Sequence, residues 1–214
     1  MSTFQRISSY ISTSLITSLN ITVSSLAETQ ELFNMIQPCS ALKSMHIMPL
    51  LSPTPTIYNP LSATLSFQPI LACKAMENFY FHALNTVPPS DSDLASLAVA
   101  WPKFSTFVWS SLSRYGPQAT LEGLRALSTN CKYLRKLEVP IEVPAELPKQ
   151  TPHQPFCDGI TVYIQQWRVD DAVDIDRFVE CLAALKPKDG TPWLHLGNVM
   201  TELWMAVEDR LGHC

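Results

Sequence analysis

Four stretches of this chain repeat one phrase, and the recurrence restricts the fold more than any single residue does. A Cys or Trp is followed three, six and eight positions later by apolar side chains: Cys39, Leu42, Met45, Ile47; then Cys73, Met76, Phe79, Phe81; then Trp101, Phe104, Phe107, Trp109; then Cys131, Leu134, Leu137, Val139. The anchors lie 34, 28 and 30 residues apart, inside the range of stacked structural repeats. Weaker echoes flank the set, with Ile16, Leu19 and Ile21 before it and Cys157, Ile160 and Val162 after it. Each phrase ends in an apolar-x-apolar step, the period of a short strand with one buried face.

Helical spacing precedes the phrases. Thr29 is a candidate cap for a helix bearing Leu32, Phe33 and Ile36. Asp91 is placed to cap one bearing Leu94, Leu97, Ala98 and Trp101, and Thr120 one bearing Leu121, Leu124, Leu127 and Cys131. Such residues accept hydrogen bonds from the free N–H groups of a first turn. Pro38 and Pro102 stand where those helices should end. The unit is therefore helix, tight turn, strand and variable loop. Residues 15–23 read as a strand, and the proline-rich stretches 48–63 and 140–155 as extended surface loops. Ile175, Phe178, Val179, Leu182 and Leu185 form a further helical stripe. Val199, Met200, Leu203, Trp204, Val207 and Leu211 form another, so 197–212 is expected to be a C-terminal capping helix.

No unit of this kind buries its own apolar face, so neighbours must stack. The expected fold is α/β, with parallel strands forming a curved sheet and helices on its convex side. Residues 1–214 are read as one domain, with 1–14 a candidate disordered N-terminus, an open or truncated N-terminal end and a complete C-terminal one.

Composition narrows the function. Hydrophobic residues make up 46% of the chain and charged ones 16%, which suits a packed core. A net charge of −4 with scattered Lys and Arg gives no nucleic-acid footprint. No apolar run approaches the roughly 18 residues of a membrane span. The N-terminus is rich in Ser and Thr, but its one basic residue before Glu28, Arg6, does not make a transit segment. Three of six cysteines share the anchor position that Trp101 also fills, so they read as buried hydrophobes rather than disulfide partners. A reducing compartment, cytoplasm or nucleus, fits that usage. Asn20-Ile21-Thr22 is treated as a chance glycosylation sequon.

Chemical motifs are few. His153 with Cys157, and His213 beside Cys214, do not make a zinc set, and no CxxC pair exists. No GxSxG elbow and no phosphate-cradling glycine loop occurs. Asp170, Asp171, Asp174 and Asp176 precede a helical stripe and suit the positive end of a helix dipole better than a calcium loop. Catalytic, cofactor and metal residues are therefore assigned to none. Trp101, Trp109 and Trp204 fall on apolar registers, while Trp167 and Trp193 lie outside them and are candidates for exposure.

The apolar-x-x-apolar-x-apolar core is a degenerate leucine-rich-repeat signature. With SDSDLASLAVAWPKFSTFVW (90–109) and ATLEGLRALSTNCKYLRKLEVPIE (119–142), the chain resembles the leucine-rich-repeat region of F-box proteins of mushroom-forming fungi, without the F-box itself. The resemblance implies a leucine-rich-repeat solenoid that holds a protein substrate for ubiquitylation. A ubiquitin-ligase adaptor would be engaged only if an F-box lay upstream. The reading is a non-catalytic protein-binding scaffold with a protein ligand, no nucleic acid and no membrane. The alternatives are a non-functional truncated remnant and an unrecognised hydrolase. Outward strand positions on the concave face, Asn20, His46, Tyr80, Val108, Glu138 and Thr161, with His82 and Tyr163 two positions further along, are the candidate contact residues.

Overall fold

In the computed structural model, which describes residues 15–49, 65–84, 86–112, 116, 118–143, 146–147, 154–164, 167–169, 175–189 and 193–196, the repeated phrase folds the same way each time. The anchor N–H bonds back to the preceding helical turn: Cys39 to Ile36 O at 2.7 Å, Cys73 to Ile70 O at 3.0 Å, Trp101 to Leu97 O at 2.9 Å and Cys131 to Leu127 O at 2.8 Å. The anchor carbonyl then accepts from the residue three on, at 3.1 Å from Leu42, 3.0 Å from Met76, 3.0 Å from Phe104 and 3.2 Å from Leu134. All four anchors are buried. The Cys73 thiol donates to Ile36 O at 3.5 Å and the Cys131 thiol to Ala98 O at 4.0 Å, each reaching the helix of the unit before.

From each turn the chain enters a strand: β1 (Ser18–Val23), β2 (Ser44–Pro49), β3 (Asn78–Leu84), β4 (Thr106–Leu112), β5 (Lys136–Glu138), β6 (Ile141–Val143), β7 (Thr161–Ile164), β8 (Trp167–Val169) and β9 (Leu194–Leu196). Seven form one parallel sheet in the order β1-β2-β3-β4-β5-β7-β9. Leu19, Met45, Phe79, Phe107, Leu137, Val162 and Leu194 sit side by side across it. That row, with Ile47, Phe81, Trp109, Val139 and Ile164 two residues on, faces the core. Phe79 stacks on Phe107 at 5.9 Å and Phe81 on Trp109 at 4.2 Å, so the cross-strand pairs are aromatic in the middle of the sheet. Burial of each such ring contributes about 1.5–3 kcal/mol.

Helices cover this face: α1 (Leu26–Ile36), a 3-10 turn over Gln68–Ala72, α2 (Asp91–Ala100), α3 (Leu121–Asn130) and α4 (Ile175–Ala183). Leu32, Phe33, Leu94, Leu97, Leu124, Leu127, Phe178 and Leu182 join the strand residues in one cluster. The fold is α/β, with a parallel sheet of seven strands and, among the described residues, helices packed on its core face. No described helix is long and apolar enough to cross a membrane.

Two helix caps differ from the sequence expectation. Ser25, not Thr29, caps α1, its hydroxyl accepting from Glu28 N at 3.2 Å. Thr29 is inside the helix, its hydroxyl turned back to Ser25 O at 3.1 Å. Ser90, not Asp91, caps α2 in a reciprocal box with Asp93. Thr120 caps α3 as expected. Asp91 does other work: its carboxylate accepts from Thr120 N (2.7 Å), the Thr120 hydroxyl (2.7 Å) and Gly123 N (2.9 Å), tying α2 to the first turn of α3.

Two stretches read as loops contain strand. Met48 and Pro49 complete β2. Ile141 and Val143 are buried in β6, which pairs in parallel with β8 in a separate two-stranded sheet. An apolar-x-apolar step between Pro140 and Pro144 accounts for this, because a proline at a strand end leaves the ladder intact. Trp193, a candidate for exposure, is fully buried beside Phe156. Trp167 opens β8 opposite Ile141. The expectations for 1–14 and 197–212 lie outside the described residues, as do those for 50–64, Asp170, Asp171 and Asp174.

Buried thiols resist ionisation. Desolvation pushes Cys73 up to about 11 and Cys131 up to about 12, and raises Cys39 and Cys181 as well. Burial raises Cys157 as well, but that residue is only half-buried, so in the native protein the other four should alkylate more slowly than Cys157, a ranking that peptide mapping after timed iodoacetamide treatment reads directly. Gly123→Ala should destabilise the fold, although alanine is the better helix former by about 1 kcal/mol. A Cβ there would stand 2.6 Å from Asp91 Oδ1 and 2.7 Å from Leu94 Cδ1. Asp91→Ala should cost about 2 kcal/mol in urea unfolding through the loss of charge-assisted bonds. A gain in stability from either change would contradict the tie between α2 and α3.

Candidate functional site

The sheet face turned away from the helices carries the candidate contact residues because strand side chains alternate. Across it run Asn20, His46, Tyr80, Val108, Glu138, Tyr163 and His195, each opposite the next. Asn20 and His195 are exposed and Tyr163 is 37% exposed, while His46 and Tyr80 are half-buried. At the centre the row closes in: Val108 is 2% exposed and Glu138 8%, so Val108 is a floor residue rather than a contact.

Thr161 lies two residues from its expected place. It pairs with Lys136, and Tyr163 occupies the position opposite Glu138. Val162 and Ile164 are therefore the core pair of that strand, with Ile160 buried in the turn before it. Thr161 still points to the same face, half-buried in a row with Thr106 and Lys136. His82 sits two residues beyond Tyr80 and opposite Ser110.

Ring contacts join neighbouring strands. His46 lies 5.3 Å from Tyr80 and 5.3 Å, edge-on, from His82. Tyr163 stacks on His195 at 4.9 Å. The Lys136 ammonium stands 5.4 Å over the Tyr163 ring and 3.9 Å from Glu138 Oε2. His195 and Lys136 were not among the sequence candidates. Leu194-His195-Leu196 is itself an apolar-x-apolar step, and that signal would have found the first of them.

What this arrangement offers is a polar and aromatic surface on a rigid sheet. His195 stacked on Tyr163, and His46 set against Tyr80 and His82, present π faces and imidazole nitrogens on that surface. Among the described residues, no group of three His, Cys, Asp or Glu side chains gathers in a way that would hold a metal ion.

Burial holds His82 below its ordinary 6.5, with nearby His46 and Lys136 adding repulsion for the protonated ring. A histidine with a lowered folded value is bound less strongly by protons in the fold than in the unfolded chain. The stability tied to its neutral form is complete above pH 6.5 and is lost as pH falls toward the lowered value. His82→Gln should flatten the decline of the urea midpoint below pH 6.5; an unchanged slope would remove His82 as its source. No family model, no curated protein and no solved structure matches the chain.

Proposed function

We propose that this chain is a non-catalytic protein-binding scaffold, built as a leucine-rich-repeat solenoid with helices on its convex side. Its concave sheet face would hold a protein ligand, as in the substrate-recognition repeats of the F-box proteins it resembles. Recruitment to a ubiquitin ligase would require an F-box upstream of these repeats.

The observation that supports the reading is the shared register of seven parallel strands. It sets His46, Tyr80, Tyr163 and His195 in line on the face the helices leave free. Interfaces between proteins favour aromatic groups at their centres. Each of these rings is held by a neighbour on the adjoining strand, so little side-chain entropy remains to be lost on binding.

Capture by the tagged full chain, compared across variants, tests this. His46→Ala with Tyr163→Ala should release at least tenfold more of a specifically captured protein. Val99→Ser, at an exposed position of α2, should leave capture unchanged. Equal loss in both variants, or none in the first, would count against the sheet face as the binding surface.

A further inference from the structure

We propose that the edge of β1 turned away from β2, which no described residue pairs, is a homotypic interface, at which two copies of this chain pair their first strands antiparallel across a two-fold axis. The first sign is incomplete burial at this end of the sheet. Leu19 and Ile21 are half-buried, whereas Met45, Ile47, Phe79, Phe81, Phe107 and Trp109 at matching positions are 0–1% exposed. Ile16 and Leu26 are likewise only partly buried against the core.

The second sign is the make-up of that edge. Among the described residues β2 is the only neighbour of β1. Proteins usually blunt such edges with charges, proline or very short strands. Among the described residues the opposite end follows that rule, β9 spanning Leu194–Leu196. β1 has six residues, SLNITV, and no charged residue occurs anywhere from Ile7 to Ala27.

The third is that the strand complements itself. Ser44 N bonds to Thr17 O at 3.1 Å, so the carbonyl of Thr17 faces β2. By alternation the N–H and C=O groups of Ser18, Asn20 and Thr22 point away from β2. An axis through Asn20 places it opposite the copy's Asn20, and Ser18 opposite the copy's Thr22. All three outward residues then exchange ladder bonds. Leu19 falls beside the copy's Ile21 on the core side, and the polar side chains share the other face. An uncharged strand meets itself there without like-charge repulsion, which favours a second copy over a charged partner.

Sedimentation of the full chain over a concentration series, joined to residue-level amide exchange, tests the proposal. The wild type should pass from monomer to dimer, with exchange at Ser18, Asn20 and Thr22 slowing at least tenfold as dimer forms. Asn20→Pro removes an edge-facing N–H without touching the bonds to β2 and should give monomer throughout. Should that variant fold poorly, Asn20→Lys serves instead, setting two ammonium groups face to face on the axis. A wild type that stays monomeric overturns the proposal. So does a dimer that survives both substitutions, or protection of those three amides that is independent of concentration and thus comes from the chain's own residues.

Discussion

A forked hydrogen bond repeated from unit to unit holds this architecture in register. The carbonyl of Thr17 accepts from Lys43 N and Ser44 N, that of Lys43 from Glu77 N and Asn78 N, that of Glu77 from Ser105 N and Thr106 N, and that of Ser105 from Arg135 N and Lys136 N. The distances run from 2.7 to 3.2 Å. Each fork fixes where one strand starts relative to the last. A slip of one residue would turn every core side chain outward. With rows such as Phe79 beside Phe107 and Phe81 beside Trp109 at stake, the penalty would be many times the worth of one hydrogen bond.

The same constraint orders the opposite face. Because the core rows are locked, the side chains between them are locked too, and His46, Tyr80, Tyr163 and His195 align without any motif of their own. Their chemistry is set by what each strand carries between its apolar positions. The centre of the row shows the limit of that freedom, since Val108 and Glu138 are nearly closed off by their neighbours. Helix contacts add a second tie, through Asp91, which binds α3 while Ser90 caps α2.

How much could be read from the residues follows from how local each signal is. The anchors and apolar steps were legible because burial imposes a period: Cys39, Cys73, Trp101 and Cys131 all lie inside, as do the pairs that follow them. Caps were harder. Ser25, Thr29, Ser90 and Asp91 all carry suitable oxygens, and only the chain path decides which one meets the first free N–H. The Cys157 echo misled because Ile160 and Val162 mimic a strand step, while pairing with Lys136 begins at Thr161. β6 was hidden by flanking prolines, and Trp193 by lying at the end of a chain segment whose strand has only three residues. Glu138 was placed on the right face, but its burial depends on neighbours that no single strand reveals.

The forks and turns tie down only nine consecutive residues of each module, from anchor to last apolar position. The differing anchor separations of 34, 28 and 30 residues are absorbed outside that span, in the connection after the strand and in the helical segment, a five-residue 3-10 turn before Cys73 against ten-residue helices before Trp101 and Cys131. Growth by gene duplication is therefore mechanically simple for such a protein. Copying one module in frame would insert one more rung, widening the wall by about 4.8 Å and offering the next rung the same fork that its former neighbour did.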